Sequence, residues 1–136
     1  MIRVVFFSLL LIYSCQIFES TEINLISDTQ FIEIQNTEHI LVDVRTIEEY
    51  ESGHIQDAVN FDFYSESFQK EILSIDKRSS IILYCRTQNR SIKTANYLKE
   101  NGYKEITVLE GGITSWVKNG NDLEYNFTEK INSKED

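Results

Sequence analysis

Hydrophobic positions along this chain come in short bursts, and the spacing within successive bursts switches between strand-like runs and helical periods. Ile23 to Ile26 opens the series as a short strand. Ser27-Asp28-Thr29-Gln30 reads as a Ser-x-x-Gln capping box, with Phe31 and Ile34 on one face of the helix it starts. Asn36 to Glu38 supplies a turn, and Ile40-Leu41-Val42-Asp43-Val44 is dense in aliphatic and β-branched side chains, as a buried strand is. Thr46-Ile47-Glu48-Glu49 is a second capping box, opening a short helix that Gly53 terminates. Ala58 to Phe61 is a short strand, and Phe68, Ile72 and Ile75 stand at helical spacing within Ser65 to Ile75. Ser80 to Tyr84 is the next strand. Ile92, Ala95 and Leu98 mark a helix capped by Gly102, Ile106 to Leu109 a strand, and Ile113, Trp116 and Val117 a last helix before Gly120. Alternating strands and helices with short connections define an α/β fold: a mostly parallel central sheet flanked by helices on both faces.

The two ends depart from this pattern. Arg3 precedes the apolar run Val4 to Ile12, which reads as an export signal over residues 1–14. The run falls short of the ~20 apolar residues of a standard spanning helix. Ile12-Tyr13-Ser14-Cys15 resembles a bacterial lipobox with Cys15 as the lipidated residue. An ordinary cleaved signal and an uncleaved anchor are the alternatives. The expectation is an exported, membrane-anchored lipoprotein facing the periplasm or cell surface. Residues 15–22 form a tether, residues 23–127 the folded domain and residues 128–136 a charged tail. A length of 136 residues suits one domain, and a formal charge of −9 speaks against a nucleic-acid partner. With Cys15 lipidated or removed, Cys85 is left as the sole thiol of a chain with 2 cysteines, and an unpaired thiol in an oxidising compartment is a candidate for reactivity. No His/Cys cluster has zinc-ligand spacing, so neither metal nor cofactor is expected.

The chemistry concentrates in Ile81 to Ser91, where an apolar strand ends on Cys85 and a polar loop carries Arg86 and Arg90 into a helix. Reactive groups collect at the carboxyl ends of strands in α/β proteins. A thiolate is the nucleophilic form of cysteine, and a thiol of ordinary acidity is only about 3% ionised at pH 7. Backbone amides of the loop, the helix start and two guanidinium groups together favour the anion. A cysteine taken alone is more often an inert small hydrophobe.

Four segments in order lift the reading beyond that loop. Leu41-Val42-Asp43-Val44-Arg45, then Glu48-Glu49-Tyr50 with Gly53-His54-Ile55 and Ala58-Val59-Asn60, then Cys85-Arg86-Thr87-Gln88-Asn89-Arg90-Ser91, then Gly102-Tyr103 with Val108-Leu109-Glu110-Gly111-Gly112 and Trp116, resemble the rhodanese (sulfurtransferase) domain family. The resemblance covers roughly Ile23 to Gly120 and implies a rhodanese-like α/β fold. It implies an enzyme in which Cys85 takes a sulfane sulfur from thiosulfate or a related small anion, holds it as a persulfide and passes it to a thiol or cyanide. Arg86, Thr87, Gln88, Asn89 and Arg90 then surround the donor, with Arg90 orienting it through its planar fork and Arg86 steering from the rim. Asp43, Arg45, Glu49 and Ser91 support the loop: Asp43 caps nearby backbone, and Arg45 pairs with Glu49 or Glu48. His54 fixes a turn rather than acting as a base, His39 lies at the surface or a strand edge, and Trp116 belongs to the core.

Cysteine phosphatases place five residues between cysteine and arginine, whereas four separate Cys85 from Arg90, which favours a sulfur atom over a phosphate as ligand. Gln88 stands where many family members have glycine, so its side chain is expected either to disfavour a left-handed backbone or to project into the pocket. Asp57 replaces a common glycine and Gln56 a common proline. A non-enzymatic sulfur-carrier or protein-interaction module is the alternative function, with a cysteine phosphatase or arsenate reductase more distant.

Overall fold

The computed structural model describes residues 22–125. The expected export signal, Cys15 and the charged tail lie outside the described residues. The elements run β1 (Asn24–Ile26), α1 (Asp28–Ile34), β2 (Ile40–Asp43), α2 (Ile47–Glu51), β3 (Val59–Asn60), α3 (Phe68–Ile72), β4 (Ile81–Tyr84), α4 (Asn89–Glu100), β5 (Ile106–Leu109) and α5 (Gly112–Lys118). The five strands form one sheet in the order β1-β5-β4-β2-β3. All four pairings are parallel, with β2 matched to β4 from Ile40↔Ile81 to Asp43↔Tyr84.

Side-chain alternation along the central strands builds two cores, one per face. Ile81, Leu83 and Cys85 point with Val42, Val44 and Val108 toward Phe68 and Ile72 of α3 and Ala95 and Leu98 of α4. Ile82 and Tyr84 point the other way with Leu41 and Leu109, against Phe31 of α1 and Ile113 and Trp116 of α5. Strands buried on both faces account for their near-continuous apolar sequences.

Both capping boxes form as the sequence requires. Ser27 accepts from the Gln30 amide while Gln30 Oε1 accepts from the Ser27 amide, and Thr46 and Glu49 exchange the same pair of bonds. The helix expected over Ser65 to Ile75 is confined to Phe68–Ile72. Ser67 makes no side-chain cap, and beyond the helix the Tyr103 hydroxyl donates to the carbonyls of Leu73 (2.9 Å) and Ile75 (2.7 Å), holding the chain in a turn. Trp116 is buried in the core as expected, with its Nε1–H donating to Asp122 O.

Asp57 has φ +64°, in the left-handed region. An L side chain there is strained, by roughly 1–2 kcal/mol in the general case. Asp57→Gly is therefore expected to raise stability by about 0.5–1 kcal/mol, the relief being partly offset by the entropy glycine adds to the unfolded chain. Urea unfolding of the two proteins, read as a higher midpoint at unchanged slope, checks this.

Candidate active site

The carboxyl ends of β2 and β4 deliver the site. β2 runs out into Val44 and Arg45, and β4 into Cys85, from which the loop passes to α4 at Asn89. Cys85 is 1% exposed. Its Sγ lies 3.6 Å from Ser91 Oγ, and the Ser91 hydroxyl is within 3.0 Å of Gln88 O. With its hydrogen on that carbonyl, Ser91 Oγ can accept from the thiol; once the thiol ionises, the hydroxyl can rotate to donate to sulfur.

The loop is fastened to the start of α5 along its length. Ile113 N–H donates to Cys85 O (2.9 Å), Thr114 N–H and Oγ1–H donate to Arg86 O (3.1 and 2.7 Å), and Gly111 N–H donates to Gln88 Oε1 (3.0 Å). The approach is so close that a β-carbon at Gly112, whose φ is +57°, would overlap the carbonyl oxygens of Thr87 and Cys85. No peptide bond is cis, so the amide following each of these carbonyls points the opposite way. The N–H groups of Arg86 and Thr87 thus face away from α5, whereas Cys85 packs with the core on the opposite sheet face. Gly111-Gly112 was legible in the sequence as a glycine pair after a strand; its role as the loop's seat was not.

The charged residues pair differently from the sequence expectation. Arg45 does not pair with Glu49 or Glu48. It folds back onto Asp43 two residues earlier, with Nη2 and Nε at 2.7 and 2.9 Å from Oδ2, and its remaining reach goes to Gly53 O at 2.8 Å. Asp43, fully buried, also accepts from the Arg45 amide through Oδ1 (2.8 Å), and Asn60 Nδ2 donates to the backbone carbonyls of both residues. Glu49 instead takes Arg90: Nη1 to Oε2 at 2.7 Å and Nη2 to Oε1 at 3.0 Å. Thr46 N–H donates to the same Oε2, and the Arg90 guanidinium lies 5.6 Å from the centre of the Tyr64 ring. The bidentate pair takes one N–H from each Nη of Arg90 and holds the guanidinium against α2.

Arg86 is exposed and makes no ion pair among the described residues. It lines a cavity of about 440 Å³ together with Arg45, Glu49, Gly53, Thr114 and Leu123. Thr87 and Asn89 are exposed on the loop. Gln88 has φ −150°, so it carries no left-handed strain, and its side chain is tied to Gly111 rather than projecting into a pocket. His54 is buried, stacked on Tyr50 with ring centres 3.8 Å apart, and its Nδ1–H donates to Tyr50 O at 3.0 Å; its geometry is that of a turn-fixing residue. His39 sits edge-on to Phe31 just before β2.

A parallel α/β sheet with one cysteine seated under a loop at the carboxyl end of its central strand defines a class of cysteine-loop domains. The match to known proteins narrows it: a family model described as Rhodanese-like domain matches residues 27–119. This chain belongs to the rhodanese-like domain family. It is 33% identical over 81 residues to a protein named sulfurtransferase from Allochromatium vinosum, a match covering 60% of this chain and 74% of the relative. It is 31% identical over 91 residues to the tRNA uridine(34) hydroxylase of Yersinia enterocolitica, covering 62% of this chain but only 25% of that larger protein. Among solved structures, a rhodanese-like domain protein from Staphylococcus aureus superposes with a TM-score of 0.66 at 26% identity, over 77% of this chain and all of the other (100%). A rhodanese-related protein from Thermoplasma volcanium gives 0.67 at 23% identity, covering 74% and 97% respectively, which supports the fold.

The Arg90 guanidinium, with a smaller contribution from the Thr46 amide, holds the Glu49 carboxyl at about 2, below its ordinary 4.5, against the opposing effect of burial. A depressed folded-state value means the pair's stabilisation is complete above the unfolded value near 4.5 and is lost as pH falls toward 2. The stability gap between the native protein and Glu49→Gln is thus expected to be constant above pH ~5 and to close between about 4.5 and 2. Urea unfolding of both proteins across that range measures it.

Proposed function

We propose that this domain is a sulfurtransferase that accepts a sulfane sulfur from thiosulfate or a related small anion onto Cys85 and delivers it to a thiol. The observation that carries the reading is the Cys85 seat: a thiol beside the Ser91 hydroxyl, under a loop whose carbonyls bond α5 and whose Arg86 and Thr87 amides face away from it. A site so arranged presents hydrogen-bond donors to an anion on sulfur and few acceptors to repel it.

In the first half-reaction the Cys85 thiolate attacks the outer sulfur of the donor. The new Cys85–S bond forms as the donor's S–S bond breaks, and the bonding pair leaves with sulfite. The persulfide anion takes its hydrogen bonds from the loop amides and Ser91. In the second half-reaction a thiolate or cyanide attacks the outer sulfur and Cys85 departs as thiolate, ready for the next turnover. Arg86, exposed on the loop next to Cys85 and without an ion pair among the described residues, binds the anionic donor. Arg90 acts at one remove, fixing the start of α4 against α2 through Glu49. This assigns to Arg86 the part that motif order alone gave to Arg90. The name of the Allochromatium vinosum relative agrees with the activity.

A thiosulfate:cyanide assay tests the proposal. The native protein is expected to form thiocyanate and to gain the mass of one sulfur on Cys85 when treated with thiosulfate alone, and Cys85→Ser to do neither. Arg86→Ala is expected to raise the thiosulfate KM about tenfold while leaving kcat within about twofold, the signature of lost donor binding. Sulfur gain without thiocyanate formation would point instead to a carrier module, and absence of both would refute the sulfur chemistry. We also propose that Cys15 carries a lipid anchor, placing the domain on a membrane surface outside the cytoplasm. Radiolabelled palmitate is expected to enter the native protein and not Cys15→Ala.

A further inference from the structure

A second cavity, of about 550 Å³, opens at the other end of the sheet from Cys85. It lies where α1 turns into β2, and the turn before β3 and the segment after α5 complete it. The strands are parallel, so the length of the sheet separates it from the loop that follows β4. Its apolar wall belongs to the core on the α5 face: Phe31 and Trp116, edge-on with ring centres 5.7 Å apart, and beside them Leu41 and Ile55. An aromatic wall, a few polar groups and this volume are the ordinary makings of a small-molecule site.

The carboxylates that line the cavity are Asp57 and Asp122, and no lysine or arginine lines it. Neither carboxylate makes an ion pair among the described residues. Both are held by their backbones: Trp116 Nε1–H donates to Asp122 O at 2.8 Å, and the Asp57 amide donates to Glu124 Oε2 at 3.4 Å. Gln56 and Asp57, the two turn residues that the sequence sets apart from the family pattern, both line this cavity. His39 lines it as well, and its Nδ1 is buried without a hydrogen-bond partner among the described residues. Buried polar atoms are normally paired. With the ring hydrogen on Nε2, this nitrogen is an acceptor. Two free carboxylates and an unpartnered imidazole nitrogen thus stand over an aromatic wall. Such a set suits a ligand that donates N–H bonds, carries positive charge and has an apolar stem.

We propose that this cavity binds a small organic amine, with its ammonium group on the Asp57 and Asp122 carboxylates and its apolar stem against Phe31 and Trp116. The site draws on no part of the sulfur chemistry, and its test reads binding alone.

Trp116 is the chain's single tryptophan, so its indole N–H gives one NMR signal that reports on the cavity. The full chain is titrated with phenethylamine and, separately, with phenylpropionate, which is close in shape and opposite in charge. Salt at about 0.15 M screens the general attraction of a cation to a chain of net charge −9. Phenethylamine is expected to shift the indole signal and the His39 and Asp57 amides saturably, with a dissociation constant of about 1 mM, the scale for so small a ligand. Phenylpropionate is expected to leave them in place. Asp57→Asn, which keeps shape and tolerates the left-handed backbone, is expected to weaken binding at least about fivefold, the scale of one lost bond to a charged group. Asp57→Gly, whose backbone adopts that conformation freely, is expected to do the same and replaces it if the asparagine variant folds poorly. Glu100→Gln, which removes an equal charge from the exposed end of α4, is expected to bind as the native protein does. The proposal is overturned if phenethylamine up to about 10 mM leaves the indole signal unmoved, if phenylpropionate shifts it equally, or if the Asp57 variants bind no more weakly than Glu100→Gln.

Discussion

Two stretches of backbone, Cys85 to Thr87 and Gly111-Gly112, lie so close that no side chain fits between them. That contact sets the form of the site. It is available because β4 and β5 are neighbours in the sheet, so their carboxyl ends open side by side. It makes the first amides of α5 partners of the loop carbonyls, which sends the following loop amides the other way. Only glycine at φ +57° satisfies both the conformation and the space. The orientation of the loop amides next to Cys85 thus begins in a residue more than twenty positions away.

Around this seat the charges are arranged in tiers by burial. The Asp43–Arg45 pair is deepest, closed by Gly53 and Asn60. Breaking such a pair on one side strands a buried charge, which in general costs about 3–5 kcal/mol; its work is to fix the end of β2 and the turn at Gly53. Arg90 and Glu49 form the middle tier, partly buried and shared with the α2 cap. Arg86 is outermost, exposed and without an ion pair among the described residues. Two arginines only four positions apart thus differ in setting according to which carboxylate lies within reach.

Much of this was legible in the sequence, for identifiable reasons. Capping boxes are local, so Ser27–Gln30 and Thr46–Glu49 could be read from spacing alone, and buried parallel strands announce themselves as short apolar runs. The Cys85 loop was legible because an apolar strand ends on a cysteine followed by arginines. What escaped depends on distance in sequence. Glu49 and Arg90 are 41 residues apart, and nothing local says that one carboxylate serves a helix cap and a guanidinium together. Arg45 went to Asp43 because a side chain two residues back, already on the buried end of the strand, competes better than one on the next helix. The end of α3 was misplaced because helical periodicity continued past Ile72 while Tyr103, a distant residue, claimed the carbonyls of Leu73 and Ile75.

The strand order carries a consequence for how the chain comes to be folded. β2 lies between β3 and β4, and the three follow one another in sequence, so they can pair as soon as residue 84 is available. Among the described residues β1 pairs only with β5, Asn24 against Thr107 and Ile26 against Leu109. During synthesis from the amino end, the first strand made must therefore wait, unpaired, for the last. Closure of a contact so remote in sequence is slow. The same final strand leads into Gly111-Gly112, so the cysteine loop, made earlier, acquires its seat only when nearly the whole domain has left the ribosome. A nascent chain carries the thiol well before it carries the seat of the loop that follows it.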